Sequence, residues 1–310
     1  MTQQNFPRVT IVTVVLNLIQ NNREDMFRRC VQSIRQQTYP HIEHIVIDGA
    51  STDGTVELLQ SMGLTFFSEK DTGIYDAMNK GILKATGQYI AFMNSDDYYA
   101  SPTAVASMVQ KMVETNADGA YGRAYIVGRP GKKDLLKSYW IGQAFYRMPV
   151  CHQAFFCTVA SLKEQGLFDT SFRIAGDYNS IYKMVMNGKL IVPVQEKIAC
   201  FVLGGISTQL IQKSKDESIR VIENNLNIPL SVAQTIAQNK YVPFRLYRQL
   251  RKRLHPKMVS AFDYVFLKQL LYRFIHSVAT IHLRKGSRYI QLFGIRIIGQ
   301  NNPTTRIEKE

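Results

Sequence analysis

The first hundred residues alternate short apolar runs with segments of helical spacing, and this pattern constrains the fold more than any other feature of the chain. Four runs are predicted as strands, at residues 9–15, 42–48, 64–69 and 88–94. Three predicted helices separate them, at residues 23–37, 56–62 and 74–85. A parallel sheet joined by crossover helices requires this alternation. The sequence therefore predicts an α/β fold with a mostly parallel central sheet flanked by helices.

Polar side chains follow each predicted strand. Asn17, Asp48 and Asp71 come after the first three strands, and Asp96 with Asp97 comes after the fourth. Ligands of open parallel sheets bind outside the carboxyl ends of the strands, where loops from neighbouring strands converge. We therefore expect these five side chains to belong to one site.

The run Asn94-Ser95-Asp96-Asp97 has the chemistry of a divalent cation site. Carboxylate and amide oxygens are the hard ligands that Mg²⁺ and Mn²⁺ prefer. Such a cation neutralises the charge that develops on a departing diphosphate. The same residue types also favour turns and helix N-caps. The run on its own leaves both interpretations open.

Three longer segments contain or accompany this run: IVIDGASTDGT at 45–55, SEKDTGIYDAMNKGI at 68–82 and ATGQYIAFMNSDDY at 85–98. In this order they closely resemble family 2 of the inverting glycosyltransferases, especially the bacterial capsule and O-antigen enzymes. The resemblance covers roughly residues 8–200. It implies a GT-A (Rossmann-like) catalytic domain, a nucleotide-sugar donor of the UDP type, and Mn²⁺ or Mg²⁺ as cofactor.

The resemblance implies roles for residues on the donor side. Asp48 matches the acid that hydrogen-bonds the uracil edge in the family, and a solvated turn is the alternative for its Asp-Gly sequence. Thr13 and Asn17 lie where the end of the first strand lines the nucleotide pocket. Asp71 and Asn79 match the segment that closes over the nucleoside and positions the metal site.

Two positions on this side depart from the family pattern. Asn94 replaces the first acid of the DxD motif, so Asp96 is the expected principal metal ligand, with Asp97 as a helper or a cap. Asn94 and Ser95 are expected near the nucleotide, where the Asn94 amide oxygen can contact the ribose. Met78 stands where many relatives have Arg, which leaves open which cation contacts the diphosphate.

The segment Ile174-Ala175-Gly176-Asp177-Tyr178 matches the second acidic motif of the family, with Gly176 in place of Glu. Asp177 is then the expected catalytic base, which takes the proton of the acceptor hydroxyl. A helix N-cap is the alternative role, and the two roles can coexist. His152 and Gln153 lie in a segment that lines the sugar and acceptor pocket in relatives. A purely structural His152 is an equally good interpretation.

The C-terminal region holds most of the net charge of +14, because residues 240–296 contain thirteen Lys and Arg residues against one acid, Asp263. The bases alternate with aromatic and aliphatic residues at helix-like intervals. Such a segment can lie in the interface of an anionic membrane. A packed helical appendage and a nucleic-acid-binding patch are the alternatives. The lipid-linked acceptors of the resembling family favour an anionic membrane surface through 240–298, and no nucleic acid is expected.

The four cysteines form no CxxC pair, so we expect neither a disulfide framework nor a zinc site. The sequence shows no signal peptide and no apolar run long enough to span a membrane. We therefore expect a cytoplasmic protein, peripheral on the inner face of the bacterial cytoplasmic membrane.

The predicted organisation has three parts: a GT-A catalytic domain at 1–205, a helical connector at 206–239 and a helical, basic, amphipathic region at 240–310. The expected function is inverting transfer of a sugar from a UDP-sugar to a lipid-linked oligosaccharide in surface polysaccharide synthesis. A nucleotidyltransferase is one rival, and the absence of a P-loop near the first strand disfavours it. A non-catalytic nucleotide-sugar-binding module is the other, and the presence of both Asp96 and Asp177 disfavours it.

Overall fold

The structure of the protein is a computed structural model. The chain forms two compact units, Met1–Met258 and Val259–Glu310. The boundary between the units lies inside the predicted region 240–310. The residues that the structure describes are 7–128, 132–239, 242–257, 259–260, 262–264, 266–271, 289–292, 295–298 and 306–309.

Nine strands of the first unit form one mixed sheet. They are β1 (Val9–Val15), β2 (Ile42–Asp48), β3 (Thr65–Ser68), β4 (Tyr89–Phe92), β5 (Tyr98–Tyr99), β6 (Gly119–Val127), β7 (Lys133–Leu136), β8 (Phe155–Thr158) and β9 (Ile191–Val202). Their order is β3-β2-β1-β4-β8-β6-β9-β5, and β7 also pairs with β6. The strands β3, β2, β1 and β4 are parallel, whereas β8 joins β4 antiparallel. The predicted strand–helix alternation therefore builds the parallel half of the sheet.

Helices cover the sheet and continue beyond it. In the described residues they are α1 (Glu24–Arg35), α2 (Thr55–Ser61), α3 (Ile74–Lys84), α4 (Ala104–Thr115), α5 (Val159–Glu164), α6 (Gly176–Met186), α7 (Ile206–Gln209), α8 (Ile211–Leu226), α9 (Leu230–Asn239) and α10 (Phe244–Arg251). Helix α1 shows why this sequence packs: Cys30 and Ile34 enter one hydrophobic cluster with β1 and β4, and Phe27 and Val31 enter a second with α2. This two-sided burial fixes the loop between β1 and α1 above the end of the sheet.

The predicted α/β class is confirmed, with the qualification that the sheet is mixed. The apolar run near Ala120 to Val127 also predicts a strand, and β6 confirms it. The strands β5, β8 and β9 were not predicted, because their pairing partners lie far apart in the chain. The two-residue strand β5, for example, pairs with β9 through Tyr98 and Cys200.

The second unit contains a three-stranded antiparallel sheet of β10 (Tyr289–Leu292), β11 (Ile295–Ile298) and β12 (Arg306–Lys309). Described residues between 259 and 271 are helical. The sequence predicted the helical character of this region but not the strands. The region 272–288 lies outside the described residues.

All four cysteines are free. Within the described ranges, no helix combines the length and the apolar character that a membrane span requires.

Candidate active site

A cavity of about 640 Å³ opens at the carboxyl ends of β1 and β4. Its wall combines the loop after β1, the segment from Asp71 into α3, Ser95 after β4, and residues 170–173. Arg23 and Arg173 line the same cavity. The structure thus brings two of the predicted donor residues, Asp71 and Ser95, together with two arginines.

Asp48, at the end of β2, is fully buried. Its Oδ2 accepts hydrogen bonds from the Ser51 N–H at 3.0 Å and the Ser68 hydroxyl at 2.6 Å, and its Oδ1 accepts from the Ser51 hydroxyl at 2.5 Å. A buried carboxylate needs such donors, because desolvation otherwise disfavours it. Asp48 therefore holds the turn after β2 against β3, and its contact with uracil stays a prediction.

Asn17 adopts a φ of +49° after β1, a conformation that Asn tolerates better than most residues. Its N–H donates to the Ser51 hydroxyl at 2.7 Å, and its side-chain oxygen accepts from the Thr52 N–H at 3.2 Å. Asn17 thus ties the end of β1 to the turn after β2. Thr13 lies deeper in β1: it is fully buried and contacts Nε2 of His44 at 3.1 Å, away from the cavity wall.

Asp71 lies between the start of α3 and the turn after β2. Its Oδ1 accepts from the Gly73 N–H at 3.0 Å, and burial raises the pKa of its carboxyl group. A Cβ atom at Gly49 would lie 2.5 Å from Asp71 Oδ2. Glycine at position 49 therefore lets the Asp71 carboxylate approach the turn after β2 closely.

Asn79 lies on α3, and both the nitrogen and the oxygen of its side-chain amide form hydrogen bonds with the backbone of a single residue. Its Nδ2 donates to the Phe168 carbonyl at 2.9 Å, and its Oδ1 accepts from the Phe168 N–H at 2.9 Å. Asn79 therefore anchors α3 to the segment that precedes α6. Its contact with a nucleotide stays a prediction.

The run after β4 contains an open acceptor beside an ion pair. Asn94 Oδ1 is buried and has no hydrogen-bond partner. Asp96 Oδ2 accepts from Arg23 Nη1 at 3.0 Å, and 33% of the Arg23 side chain is exposed against 11% of Asp96. Because buried acceptors normally have a partner, the Asn94 oxygen is available to a ligand.

Asp97 is held inside the protein. Its Oδ1 accepts from the Val202 N–H at 2.8 Å, and its Oδ2 accepts from Nε2 of the buried Gln153. Burial, reinforced by the charge of Asp96, raises the pKa of Asp97 to about 7. Gln153 in turn accepts from the Cys151 thiol at 2.8 Å. Both oxygens of Asp97 and the amide of Gln153 are thus engaged in linking β9 to the loop after β4.

Asp177 is the second residue of α6. Its Oδ1 accepts from the Tyr178 N–H at 2.8 Å and from the Tyr75 hydroxyl at 3.1 Å, and its Oδ2 lies 3.0 Å from His152 Nδ1. Only 18% of its side chain is exposed. Tyr75 also lines the cavity. The structure therefore holds the predicted base between His152 and Tyr75, and Asp177 itself lines a separate small pocket.

His152 has one engaged and one open ring nitrogen. Burial alone lowers the pKa of His152, but the hydrogen bond and charge of Asp177, with the charges of Asp97 and Asp96, raise it above the ordinary value. Its Nε2 is buried without a hydrogen-bond partner. The ring therefore holds Asp177 through Nδ1 and leaves Nε2 for a ligand.

Comparisons with known proteins identify the family of this chain. The family model described as Glycosyl transferase family 2 matches residues 18–163. An uncharacterized glycosyltransferase of Mycobacterium tuberculosis is 32% identical over 191 residues, which cover 58% of this chain and 70% of the relative. The chain belongs to glycosyl transferase family 2. This family membership confirms the predicted resemblance and makes the protein a glycosyltransferase.

Solved structures support the fold. S. aureus TarS 1–349 in complex with UDP has a TM-score of 0.55 at 15% identity, over 97% of this chain and 98% of that chain. The mannosyltransferase PcManGT from Pyrobaculum calidifontis, in complex with GDP-Man and Mn²⁺, has a TM-score of 0.59 at 17% identity, over 90% and 81% of the two chains. The predicted GT-A fold is confirmed by these likenesses.

Two departures from the family 2 pattern have a packing explanation. Gly176 stands where the pattern has Glu, and a Cβ atom there would lie 2.7 Å from the Tyr75 ring. Met78 stands where many relatives have Arg, and it is buried in a small pocket that it shares with Phe92 and Asp177. The pocket is small, so the longer side chain of arginine would overpack it.

The residues after β4 fit a divalent cation only in part. Among the described residues, no group of three or more His, Cys, Asp and Glu side chains is arranged to hold a metal ion. Asp96 and the open oxygen of Asn94 nevertheless provide hard oxygen ligands. Mg²⁺ sites in nucleotide enzymes commonly combine one or two carboxylates with substrate phosphates. The donor set therefore fits a cation that is shared with a diphosphate.

Sequence reasoning missed Arg23, Tyr75 and Arg173 as cavity residues of this glycosyltransferase. Tyr75 carried a signal, because it lies four residues after Asp71 within one of the family segments. Arg23 lies in the loop after β1, where a base near a predicted diphosphate site could have been noted. Nothing in the local sequence distinguishes Arg173.

Proposed function

We propose that this family 2 glycosyltransferase inverts the sugar that it transfers, takes that sugar from a UDP-sugar, and uses Asp177 as its base. The observation that carries the proposal is the position of the Asp177 carboxylate, held by His152 and by Tyr75, which also lines a cavity of about 640 Å³. This volume is in the range of small-molecule sites. Tyr75 therefore contacts the proposed base and also forms part of the cavity wall.

The proposed reaction is a single displacement at the anomeric carbon. The acceptor hydroxyl oxygen forms a bond to this carbon while the bond from the carbon to the diphosphate oxygen breaks. The hydroxyl proton moves to Asp177, and UDP leaves with the bonding electrons. Because the acceptor attacks from the face opposite the diphosphate, the configuration of the sugar inverts.

The leaving diphosphate needs positive charge near it. Asp96 and Asn94 would hold Mn²⁺ or Mg²⁺, which neutralises this charge when bound. We assign a second contact with the diphosphate to Arg23, because its guanidinium already lies 3.0 Å from Asp96 and lines the cavity. In this proposal Arg23 provides the positive charge that many relatives have as Arg at the position of Met78. Asp71 and the turn after β2 are the proposed nucleoside side of the site.

Replacement of the base tests the proposal. Asp177→Asn keeps the shape of the side chain but removes its ability to take the proton, so kcat should fall about 1000-fold while UDP affinity is unchanged. Asp169→Asn is the matched control, because Asp169 lies eight residues before the base and its Oδ1 accepts from the Ser171 N–H at 2.9 Å instead of contacting Tyr75 or His152. Wild-type turnover by Asp177→Asn would remove Asp177 from the mechanism and favour a different base.

For the acceptor we propose a lipid-linked oligosaccharide of bacterial surface polysaccharide synthesis, reached at the inner face of the cytoplasmic membrane. The support is the surface chemistry of the C-terminal region. Helix α10 exposes Arg245 and Arg248 together with Phe244, which is 59% exposed. In the second unit Leu267 and Leu271 are exposed by 62% and 59%. Exposed apolar side chains among bases suit the interface of an anionic bilayer.

Vesicle flotation tests this surface. The pair Arg245→Gln and Arg248→Gln should weaken binding to phosphatidylglycerol-containing vesicles by about 2 kcal/mol, since each base near the surface contributes about 1 kcal/mol. The pair Lys213→Gln and Lys215→Gln removes two exposed charges from α8 and serves as the control. Equal flotation of both variants and the wild type would contradict the proposed role of α10.

A further inference from the structure

Helix α8 carries a buried carboxylate that no step of the proposed reaction uses. Only 6% of Glu217 is exposed. Its carboxylate accepts hydrogen bonds from the N–H groups of three consecutive residues: Arg173 at 3.1 Å, Ile174 at 2.8 Å and Ala175 at 3.0 Å. Hydrogen bonds to an ionised acceptor are about twice as strong as neutral ones. This arrangement is therefore a strong link between α8 and the segment 173–175.

The segment 173–175 leads directly into α6, which begins at Gly176 and carries Asp177. Helix α6 has no side-chain cap of its own, because its N-cap residue is Ala175. The N-terminus of a helix leaves N–H groups without intrahelical partners and favours negative charge nearby. Glu217, 42 residues after Ala175, supplies that charge and orders the backbone at this end of α6.

Two other side chains of α8 hold the same stretch of chain. Arg220 donates from Nη2 to the Ser171 carbonyl at 2.9 Å, and its guanidinium lies 4.1 Å from the centre of the Phe172 ring. Asn225 donates from Nδ2 to Asn179 Oδ1 at 2.7 Å. The contacts of α8 therefore extend to both sides of Asp177 in the sequence.

The peptide groups of Ile174 connect Glu217 to the base. The Ile174 N–H donates to Glu217, and the Ile174 carbonyl accepts from the Tyr75 hydroxyl at 2.5 Å. The same hydroxyl lies 3.1 Å from Asp177 Oδ1. A shift of the backbone at Ile174 would therefore move the Tyr75 hydroxyl, Asp177 or both.

We infer that Glu217 is a positioning residue for glycosyl transfer: through the segment 173–175 it sets the place of the Asp177 carboxylate. The inference rests on the proposed role of Asp177 as the base. Glu217 touches no reacting atom and acts only through the backbone that it holds. Helix α8 thereby holds part of the proposed active site in place, although it comes after all the predicted site residues in the sequence.

Glu217→Gln is the first test, because it keeps the size of the side chain and removes the charge that binds three N–H groups. We expect kcat to fall about 100-fold, the loss that a displacement of about 1 Å causes in a reacting group. UDP affinity should change less than about threefold, since the variant leaves the turn after β2 intact. The control is Asp216→Asn, which removes an exposed carboxylate from the neighbouring position of α8 and should keep wild-type kcat.

A double variant distinguishes positioning from general destabilisation. If Glu217 acts through Asp177, adding Glu217→Gln to Asp177→Asn should lower the residual kcat by less than about twofold, because residues that act as a unit are not additive. A further 100-fold loss would overturn the inference. So would a Glu217→Gln variant with wild-type kcat per folded molecule.

A second variant covers the case in which Glu217→Gln does not fold. Glu217→Asp keeps the charge and shortens the reach, so kcat should fall at a temperature where UDP binding shows the site to be intact. Unchanged kcat in this variant would overturn the inference. The proposed function fails by a separate result, wild-type turnover by Asp177→Asn, so the two failures are distinguishable.

Discussion

The proposed site has a nucleoside end, at the turn after β2, and a reaction end, at Asn94, Asp96 and His152, and the two ends differ in how completely their polar groups are used. At the nucleoside end, Asp48 is fully buried and accepts three hydrogen bonds, and Asn17 bonds to the same turn. At the reaction end, Asn94 Oδ1 and His152 Nε2 are buried without partners. Asp96 there is paired with a partly exposed Arg23.

This difference suggests a division of labour. A turn whose polar groups already have hydrogen-bond partners is stabilised little by a ligand. Removing one of these hydrogen bonds lowers the stability of the fold instead. Open buried polar atoms cost free energy until a ligand satisfies them. We therefore expect substitutions at the nucleoside end to lower stability and substitutions at the reaction end to lower binding or turnover.

The sharpest contrast is expected within the run after β4. Asp96→Ala should abolish the effect of Mn²⁺ on UDP affinity and weaken metal binding about 100-fold, the upper range for changes around a metal. Asp97→Asn should instead lower the free energy of unfolding by about 1–3 kcal/mol, because it disturbs the bonds with Val202 and Gln153. Calorimetric titration with and without Mn²⁺, beside urea unfolding, checks both. Equal metal dependence in Asp96→Ala and the wild type would remove Asp96 from the site.

Arg23→Gln tests the assigned cation. A lost hydrogen bond from a charged group costs about 1.5–3 kcal/mol, so UDP should bind at least about tenfold more weakly while uridine binds as before. Arg28→Gln is the control, since Arg28 lies on α1, which begins directly after Arg23, and pairs with the exposed Glu24 at 2.7 Å. Equal weakening of UDP and uridine would show that Arg23 shapes the loop instead of contacting the diphosphate.

Asp48→Asn probes the nucleoside end. The amide loses one acceptor oxygen among donors that are buried, so the free energy of unfolding should fall by about 2 kcal/mol. Urea unfolding measures this, and uridine affinity is measured on the folded protein. A variant of normal stability that has lost uridine binding would support the uracil contact that the family resemblance implies, and it would break the contrast between the two ends.

The smallest effect is expected from pH. Because folding raises the pKa of His152, its stabilising effect is complete below the unfolded-state pKa of about 6.5 and is lost as pH rises through the folded-state pKa. The stability difference between wild type and His152→Gln should therefore be larger at low pH, by less than about 1 kcal/mol for this partly exposed pair. Urea unfolding across the pH range checks this, and a difference that grows with pH would contradict it.

The parallel half of the fold could be predicted because its information is local. The strand β1 consists entirely of the β-branched residues Val, Ile and Thr, as expected for a strand buried on both faces, and turn residues mark its end. The strand β9 could not be recognised in this way. It contains Pro193 and the exposed run 195–197, and it is a strand because β6, about 70 residues earlier, pairs with it.

The candidate site shows the same limit. The order of strands places Asp71 and Ser95 at one cavity, which follows from the convergence of strand ends. The partners of individual side chains depend on distant residues: Asn79 bonds with Phe168, 89 positions away, and Glu217 bonds with Ala175, 42 positions away. Motif position therefore identified the region of the site but not which side chains hold the backbone.

The central claim is that the cavity binds a nucleotide-sugar whose diphosphate end completes the site. The most direct measurement is a panel of UDP-, GDP- and dTDP-sugars, each with Mn²⁺ or Mg²⁺, followed by thermal shift and by slow hydrolysis of the donor. We expect one UDP-sugar to stabilise the protein and to be hydrolysed, with the metal required for both. A folded protein that responds to no member of the panel, or responds equally without metal, would contradict the account.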